Sequence, residues 1–432
     1  MNRPTVERSA HSPEKATSIS KQTQMTQTYL RLVYALTLAG LSSLVPTAGA
    51  QAATCDQTLN PGANVSSAVS SAAAGSTICL NAGSYGSASF GSVTKSSPVN
   101  IQSTSDRSAS IGLNISGSNG LAFSNLTITS MNLSGSSTKN IAVRSSTFKG
   151  QAVLNVSGNS NANILIDGST FDGISVCSNC SEGRLHITQP GALGSQPVGV
   201  TVSNNHFGGA GESDGIQVGA YGVVIGPGNT FDGIIQGSYG RHVDALQLYG
   251  QSHTTVIGNF FANGDTFIMA PDGGNTEKFI DNVFKGDNGY FWKIQLGSHA
   301  NDVFDHNTII GAVGVSIDAK TGSSSSSNAT VTNNILVDSS FKTKNSNGAE
   351  ACNNCTFSGN VFNTSGNARG TGTIMGTPSF VGGAKPATWD GFKLQAGSPG
   401  YQAAPDKSNM GTRVFPGSAS ATVSPPSNLR VN

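Results

Sequence analysis

The repeat that decides the fold is clearest between residues 259 and 284, which read NFFANGDTFIMAPDGGNTEKFIDNVF. The stretch opens on Asn-Phe-Phe and closes on Asn-Val-Phe. The same Asn-x-apolar triplet recurs at intervals of 23 to 30 residues, beginning at Asn205, Asn229, Asn259, Asn282, Asn307, Asn334 and Asn360. A period in the twenties with one strand-like triplet in each repeat is typical of a solenoid.

The apolar residues of each repeat alternate with polar ones, and Gly, Asn, Ser and Asp separate the runs. This pattern indicates strands, so we predict an all-β chain wound as a parallel β-helix solenoid. We attribute the recurrent asparagine to the bend, because Asn tolerates the left-handed backbone of a tight turn. Amides stacked about 4.8 Å apart could then form a hydrogen-bonded ladder.

The chain divides into three predicted segments. Residues 1–52 are an N-terminal extension and signal peptide, since an apolar run from Leu32 to Val45 is followed by small residues up to Ala52. Residues 53–414 are the β-helix domain, opened by a short capping helix from Val65 to Ala74. Residues 415–432 are rich in Pro and Ser and are predicted to be a disordered tail.

The composition limits the partners and the location of the protein. Only 11% of the 432 residues are charged and the net charge is +1, so no basic stripe is available for nucleic acid. After signal cleavage no segment is long and apolar enough to span a membrane. We therefore expect a secreted or periplasmic monomer.

The cysteines suit an exported protein. Cys55 and Cys79 flank the predicted capping helix and could be joined there. For the two CxxC pairs the alternatives are local disulfides or a shared zinc site. These pairs are Cys177 with Cys180 and Cys352 with Cys355.

Three acids, Asp214, Asp244 and Asp265, open successive predicted strands, with His242 and Lys293 close by. Strand alternation predicts that the acids form one column at the bend and that Lys293 lies in the next column. Stacked carboxylates repel, which raises one pKa or recruits a cation such as Ca²⁺. We predict these five residues as catalytic and the three acids as the metal ligands. The alternative is that the acids only cap backbone amides at bends.

The same strands present outward amides and nearby aromatic residues. The column predicted to face solvent contains Gln217, Gln247, Ile268, Gln295 and Asp318. Amides and acids can bind sugar hydroxyls. The predicted substrate-binding residues are Gln217, Gln247, Gln295, Asp318, Lys320, Tyr249 and Trp292. By contrast, His186, His253 and His299 have no spaced partners that would indicate a metal site.

On this coil pattern, residues 54–414 resemble the right-handed parallel β-helix proteins of the pectate-lyase-like superfamily. That group contains polysaccharide lyases, polygalacturonase-like hydrolases and alginate epimerases. Ser213-Asp214-Gly215 and Asp244 are similar to the acids that begin successive strands in polygalacturonases, and His242-Val-Asp244 carries groups similar to those of the epimerases. The resemblance implies a right-handed coil and a polysaccharide substrate.

The sequence therefore predicts a polysaccharide-active enzyme, namely a lyase that cleaves a uronate-containing polymer by β-elimination. Lys293 or His242 would act as the base, and Ca²⁺ could assist. One alternative is a glycoside hydrolase that uses two of the three acids. The other is a surface adhesin that binds carbohydrate without cleaving it.

Overall fold

The structure is a computed structural model. The residues that it describes belong to one compact unit. They are 54–156, 162–176, 183–191, 194–209, 211–237, 243–286, 291–317, 325–345 and 347–415. Several predictions fall outside these residues: the signal peptide, the Cys177–Cys180 pair, His242, Asp318, Lys320 and the tail beyond Phe415.

The strands pair in parallel and form a β-helix, as the repeat predicts. Within the described ranges the first sheet has thirteen strands. They are Gln57–Leu59, Thr77–Leu80, Thr94–Ser103, Asn119–Ser124, Lys139–Arg144, Ile164–Asp167, Val200–Ser203, Val224–Ile225, Thr255–Ile257, Lys278–Ile280, Val303–Asp305, Thr330–Thr332 and Thr356–Ser358.

The second sheet, counted over the same residues, has twelve strands. Thr147–Phe148 pairs with Thr127–Ser134 at one side of it. The other strands follow the coil order: Gly83–Gly91, Ala109–Ser116, Thr127–Ser134, Ala152–Asn155, Leu185–Thr188, Ile216–Gly219, Asp244–Leu248, Thr266–Ala270, Ile294–Leu296, Gly314–Ser316 and Ser340–Lys342.

Two smaller sheets complete the coils. In the described part of the chain the third sheet consists of His206–Gly208, Thr230–Asp232, Phe260–Ala262, Val283–Lys285, Thr308–Ile310, Ile335–Val337, Val361–Phe362 and Ile374–Met375. The fourth consists of Gly274–Asn275, His299–Ala300, Ser326–Ser327 and Cys352–Asn353.

The core lies between the sheets because each strand turns alternate apolar side chains inward. Six phenylalanines from successive coils stack on one another, with neighbouring ring centroids 4.1–5.0 Å apart. They are Phe148, Phe171, Phe207, Phe231, Phe261 and Phe284. Burying each ring contributes about 1.5–3 kcal/mol, so the stack is a large part of what holds the coils together.

The predicted asparagine ladder is present. Each ladder asparagine before Asn360 donates a side-chain N–H to the side-chain oxygen of the next, at 2.9–3.1 Å. Each also donates to a backbone carbonyl of the preceding coil. Serines continue the ladder toward the N-terminus, because the Ser169 N–H donates to Asn205 Oδ1 and the Ser146 N–H to Ser169 Oγ.

The prediction that the recurrent asparagine itself forms the left-handed bend was wrong by one residue. The left-handed backbone belongs to the residue before each ladder asparagine, with φ between 54° and 86°. These residues are Asn204, Gly228, Gly258, Asp281, His306, Asn333 and Gly359. The bend at that position turns the following side chain into the core. The ladder asparagine is therefore selected for its buried hydrogen bonds.

Helices are few and short in the described residues. An α-helix spans Val65–Ser71, which is three residues shorter than the predicted Val65–Ala74. The Asn64 side chain accepts from the Ser67 N–H at its start, and Val65, Ala68 and Val69 are buried. Two 3₁₀ turns span Ser365–Asn367 and Trp389–Phe392. None of these helices is long and apolar enough to cross a membrane.

The described residues contain two disulfides, both where the sequence indicated them. Cys55 is joined to Cys79, and Cys352 to Cys355. The second bond rules out a zinc site on that CxxC pair.

The C-terminal segment packs over the third sheet. Phe392, Leu394 and Met410 form a second apolar cluster with Phe260 and Ile335 of that sheet.

Candidate active site on the second sheet

The strand register of the second sheet defines a row of outward side chains, which we call the outer column. It consists of His186, Gln217, Gln247, Met269, Gln295, Ser316 and Lys342. At one strand spacing per coil the column is about 29 Å long. The three predicted glutamines lie in it, which places their amides on one face.

One predicted member of this column is wrong. Ile268 pairs with Leu246 and Ile294 and is fully buried, whereas Met269 takes the outward place. The strand Thr266–Ala270 carries four consecutive apolar residues after Thr266, so alternation alone could not set its phase. In the next coil Gln295 pairs with Ser316, and the predicted Asp318 lies outside the described residues.

The three acids do not share one column. Asp214 and Asp244 are aligned on adjacent coils, where the Asp244 N–H donates to Asp214 Oδ1 at 2.8 Å. Asp244 is in turn paired with Thr266, so Asp265 lies one residue out of line. Its Oδ2 accepts from the Gln236 N–H at 2.7 Å, which is the cap arrangement that the alternative interpretation expected.

Asp214 is fully buried and orients the outer column from beneath. Its Oδ2 accepts from Gln217 Nε2 at 2.7 Å, and the same nitrogen lies 2.5 Å from Gln247 Oε1. The carboxylate therefore fixes the direction of two amides on the face above it. Asp244 is also fully buried.

Arg184 lies one coil before Asp214 and opposite Gly215, and its N–H donates to the Asp214 backbone carbonyl at 2.9 Å. Its guanidinium is buried and donates to the Phe171 and Gly208 carbonyls. Burial lowers the pKa of Arg184 to about 10, although the negative charges of Asp172 and Asp214 act to raise it. The arginine remains a cation at neutral pH and offsets the buried carboxylate next to it.

Lys293 does not lie in an outward column as predicted. It is 1% exposed, and its Nζ donates to the Gly264 carbonyl at 2.5 Å and to the Asp265 carbonyl at 3.3 Å. The same nitrogen lies 5.4 Å from the ring centroid of Phe267. The amine thus binds the bend of the preceding coil from inside. Its role in proton transfer stays a prediction.

A hydrogen-bonded tyrosine and histidine lie on the outer face, and the sequence analysis missed the pair. Tyr249 Oη is 2.5 Å from His186 Nε2, although the residues are 63 positions apart. The phenol ring crosses Gly219 of the intervening coil, where an added Cβ would lie 2.4 Å from Tyr249 Cε2. In the strand register Gly219 pairs with Thr188 rather than with His186, so no spacing in the sequence indicates this contact.

The other end of the outer column carries an aromatic and a cation. Lys342 Nζ lies 5.4 Å from the Trp292 ring centroid, and Phe291 packs edge-on against Trp292. A Cβ on Gly314 would lie 2.3 Å from Trp292 Cε3, so the glycine makes room for the indole. The face therefore pairs the row of amides with a positive charge beside an aromatic ring.

A second cluster of titratable groups lies in the bend between the second and first sheets, where the short strands of the fourth sheet are found. His299 Nδ1 is 2.8 Å from Asp302 Oδ2 and 3.6 Å from Glu277 Oε2, so the interpretation of His299 as isolated was wrong. Burial raises the pKa of Glu277 to about 7. Burial alone would lower the pKa of His299, but the neighbouring carboxylates of Asp302 and Glu277 raise it to about 10.

Comparison with known proteins finds a similar fold in solved structures of other proteins. No protein-family model and no curated protein sequence matches the chain. Its structure is similar to that of the family 6 alginate lyase AlyGC, with a TM-score of 0.53 and 14% identity over 82% of this chain. The chain covers 56% of AlyGC, a little over half of its length.

A second similar structure is a mannuronic acid specific family 6 polysaccharide lyase from human gut microbiota. Its TM-score is 0.51 and its identity 13%, over 74% of this chain and 82% of the lyase. These similarities confirm the parallel β-helix and the structural resemblance stated from the sequence.

Proposed function

We propose that this protein is a polysaccharide lyase that cleaves a uronate-containing polymer by β-elimination on the outer face of the second sheet. The observation that carries the proposal is the hydrogen bond between Tyr249 Oη and His186 Nε2, beside a row of amides. The fold similarity to alginate lyases supports the substrate class.

The pair has the chemistry that elimination needs. The phenol of Tyr249 gives its proton to His186, and the phenolate removes the proton on the carbon next to the uronate carboxyl. As the carbon–oxygen bond to the neighbouring sugar breaks and a carbon–carbon double bond forms, the imidazolium returns its proton to the leaving oxygen. Each group ends in its starting protonation state. General acid–base catalysis of this kind contributes about 10²- to 10⁴-fold.

The rest of the outer column would hold the polymer. Gln247 presents its amide to sugar hydroxyls, and the buried Gln217, itself held by Asp214, keeps that amide in place. At the far end, Lys342 beside Trp292 suits a uronate carboxylate next to a sugar face that stacks on the indole. An acidic polymer lying along several coils would use both ends.

The predicted Ca²⁺ site does not fit the arrangement of its carboxylates. Both Asp214 oxygens accept hydrogen bonds from within the protein, from the Asp244 N–H and from Gln217 Nε2. Asp265 is out of line and caps Gln236. The proposed elimination therefore does not use Ca²⁺ bound at these acids.

The test is to incubate the protein with polymannuronate, polyguluronate and polygalacturonate and to follow the ultraviolet absorbance of the unsaturated product. Tyr249→Phe should lose activity by about 10²- to 10⁴-fold while its melting temperature is kept. The matched control is Tyr221→Phe, since Tyr221 stacks on His253 with ring centroids 4.4 Å apart. Full activity in Tyr249→Phe would remove the proposed pair.

Hydrolysis is the second candidate because Asp214 and Asp244 are aligned on adjacent coils. The coil spacing of about 4.8 Å is close to the carboxyl separation of about 5–5.5 Å in retaining glycosidases. New reducing ends without an unsaturated product, together with an inactive Asp244→Asn, would favour it. Binding without any cleavage would favour the adhesin alternative.

Four further features belong to this proposal. The coil is right-handed, as crossover connections between parallel strands almost always are. The helix Val65–Ser71 caps the N-terminal end of the coil, which would otherwise expose apolar core and strand edges. The protein is exported, and it acts as a monomer.

A further inference from the structure

Four buried side chains meet in the bend between the second and first sheets. Glu277 and Asp302 supply carboxylates, His299 an imidazole and Gln251 an amide, and none is more than 2% exposed. Gln251 Nε2 donates to Glu277 Oε1 at 3.3 Å, which joins the amide to the group. Among the described residues, the first three are the one set of side chains with the spacing of metal ligands.

The tautomer of His299 follows from its surroundings. Its Nε2 lies 2.9 Å from the Ala270 backbone carbonyl, which can only accept, so Nε2 carries a proton. Metal-binding histidines commonly fix their second nitrogen in this way. Nδ1 then faces Asp302 Oδ2 at 2.8 Å and Glu277 Oε2 at 3.6 Å. Three groups that prefer to accept hydrogen bonds converge, and a positive species must lie between them.

Two buried oxygens indicate a species larger than a proton. Neither Glu277 Oε2 nor Gln251 Oε1 has a hydrogen-bond partner in the described structure. A buried carboxylate or amide oxygen without a partner is costly. A proton on Nδ1 would satisfy Asp302 and leave both of these oxygens unmatched, whereas a cation can be bound by all four groups.

We propose that Gln251, Glu277, His299 and Asp302 form a structural Zn²⁺ site. One imidazole nitrogen and three oxygens suit zinc better than Ca²⁺, which prefers oxygen ligands alone. Zinc bond lengths of about 2.0–2.1 Å place neighbouring ligands about 3.3 Å apart. The present separations of 2.8 and 3.6 Å lie on either side of that value. The two carboxylates balance the charge of the ion.

Gly274 supports the same conclusion. A Cβ at this position would lie 2.6 Å from His299 Cε1 and 2.8 Å from Glu277 Oε2. The glycine lets the imidazole and the carboxylate lie against the backbone of the bend. The ion would tie this bend to the end of the strand Thr266–Ala270, because Ala270 holds the imidazole.

The experiment uses the full chain. The protein is dialysed against a chelator, its metal content is measured, and its melting temperature is recorded with added Zn²⁺, Ca²⁺ or neither. We expect about one zinc per chain before dialysis, a lower melting temperature after it, and recovery with Zn²⁺ but not with Ca²⁺.

Two variants make the test specific. Glu277→Gln keeps the shape of the side chain and should lose zinc retention and the response of the melting temperature to zinc. His306→Asn is the matched control, since His306 is also buried and lies 2.8 Å from a carboxylate, that of Asp305. It should bind zinc as the parent does.

Two results would overturn the proposal. One is a parent protein that takes up no zinc and whose melting temperature is unchanged by either metal. The other is a Glu277→Gln variant that binds zinc as tightly as the parent. Neither result depends on whether the protein cleaves a polysaccharide.

Discussion

Asn282→Ala should destabilise the protein without changing its fold, because Asn282 lies in the middle of the ladder and is fully buried. Its Nδ2 donates to the Val256 carbonyl at 2.8 Å and to Asn307 Oδ1 at 3.0 Å. Its Oδ1 accepts from the backbone N–H and the side-chain Nδ2 of Asn259, at 2.9 and 3.1 Å. Alanine removes all four hydrogen bonds.

The size of the effect follows from these contacts. A typical buried hydrogen bond contributes about 0.5–1.5 kcal/mol net, so four amount to about 2–6 kcal/mol. The loss is smaller than this sum because some of the remaining groups keep other hydrogen bonds. Asn259 Nδ2, for example, still donates to the Ile225 carbonyl at 2.9 Å. The Asn259 backbone N–H loses the acceptor that Asn282 supplied. We expect a loss of about 3 kcal/mol.

The assay is denaturant unfolding of the parent, Asn282→Ala and the matched control Asn275→Ala. Asn275 lies in the same coil and also accepts from the asparagine of the next coil, Asn301, at 2.8 Å, but it is exposed. The control should change the free energy of unfolding by less than about 0.5 kcal/mol. An Asn282→Ala variant no less stable than the control would refute the argument that burial gives the ladder its strength.

Two further substitutions test other parts of the structure. Burial would raise the pKa of Asp305, but the hydrogen bond from His306 and those from two neighbouring side chains hold it below its usual 3.8. The stability that Asp305 contributes is therefore present above that pH and lost below it, so the melting temperature of the parent should fall more steeply in acid than that of Asp305→Asn. Lys293→Met should lower the free energy of unfolding by about 1–3 kcal/mol, because two backbone carbonyls lose their donor. If that variant instead kept full stability and lost all turnover, Lys293 would be the base.

The fold was open to prediction from the sequence because one physical constraint repeats. A buried amide is needed once per coil, so Asn282 and its counterparts mark the period directly. The bend itself was harder to place, because the left-handed position is occupied by Gly, Asn, Asp or, at position 306, His. No single residue type therefore marks the bend in the sequence. Local chemistry selects one residue type at the ladder and several at the bend.

The site was less predictable because it depends on side chains from different coils. The phase of the strand around Met269 is hidden by its unbroken apolar run. Lys293 faces inward because its amine reaches backbone carbonyls, which carry no sequence signal. His186 and Tyr249 meet only because Gly219 lets the ring cross one coil, and no spacing in the sequence expresses that contact.

The ladder also allows the β-helix to change its length by whole coils. Every amide donates in the same direction, toward the asparagine of the following coil, and every coil presents the same acceptor to the one before it. Removing residues 282–306 would bring Asn259 next to Asn307, and the junction would be chemically identical to the one it replaced. A deletion that did not remove a whole number of coils would place a different side chain at the junction. Such a protein can gain or lose a whole coil in one genetic step and change the reach of its binding face without redesigning its core.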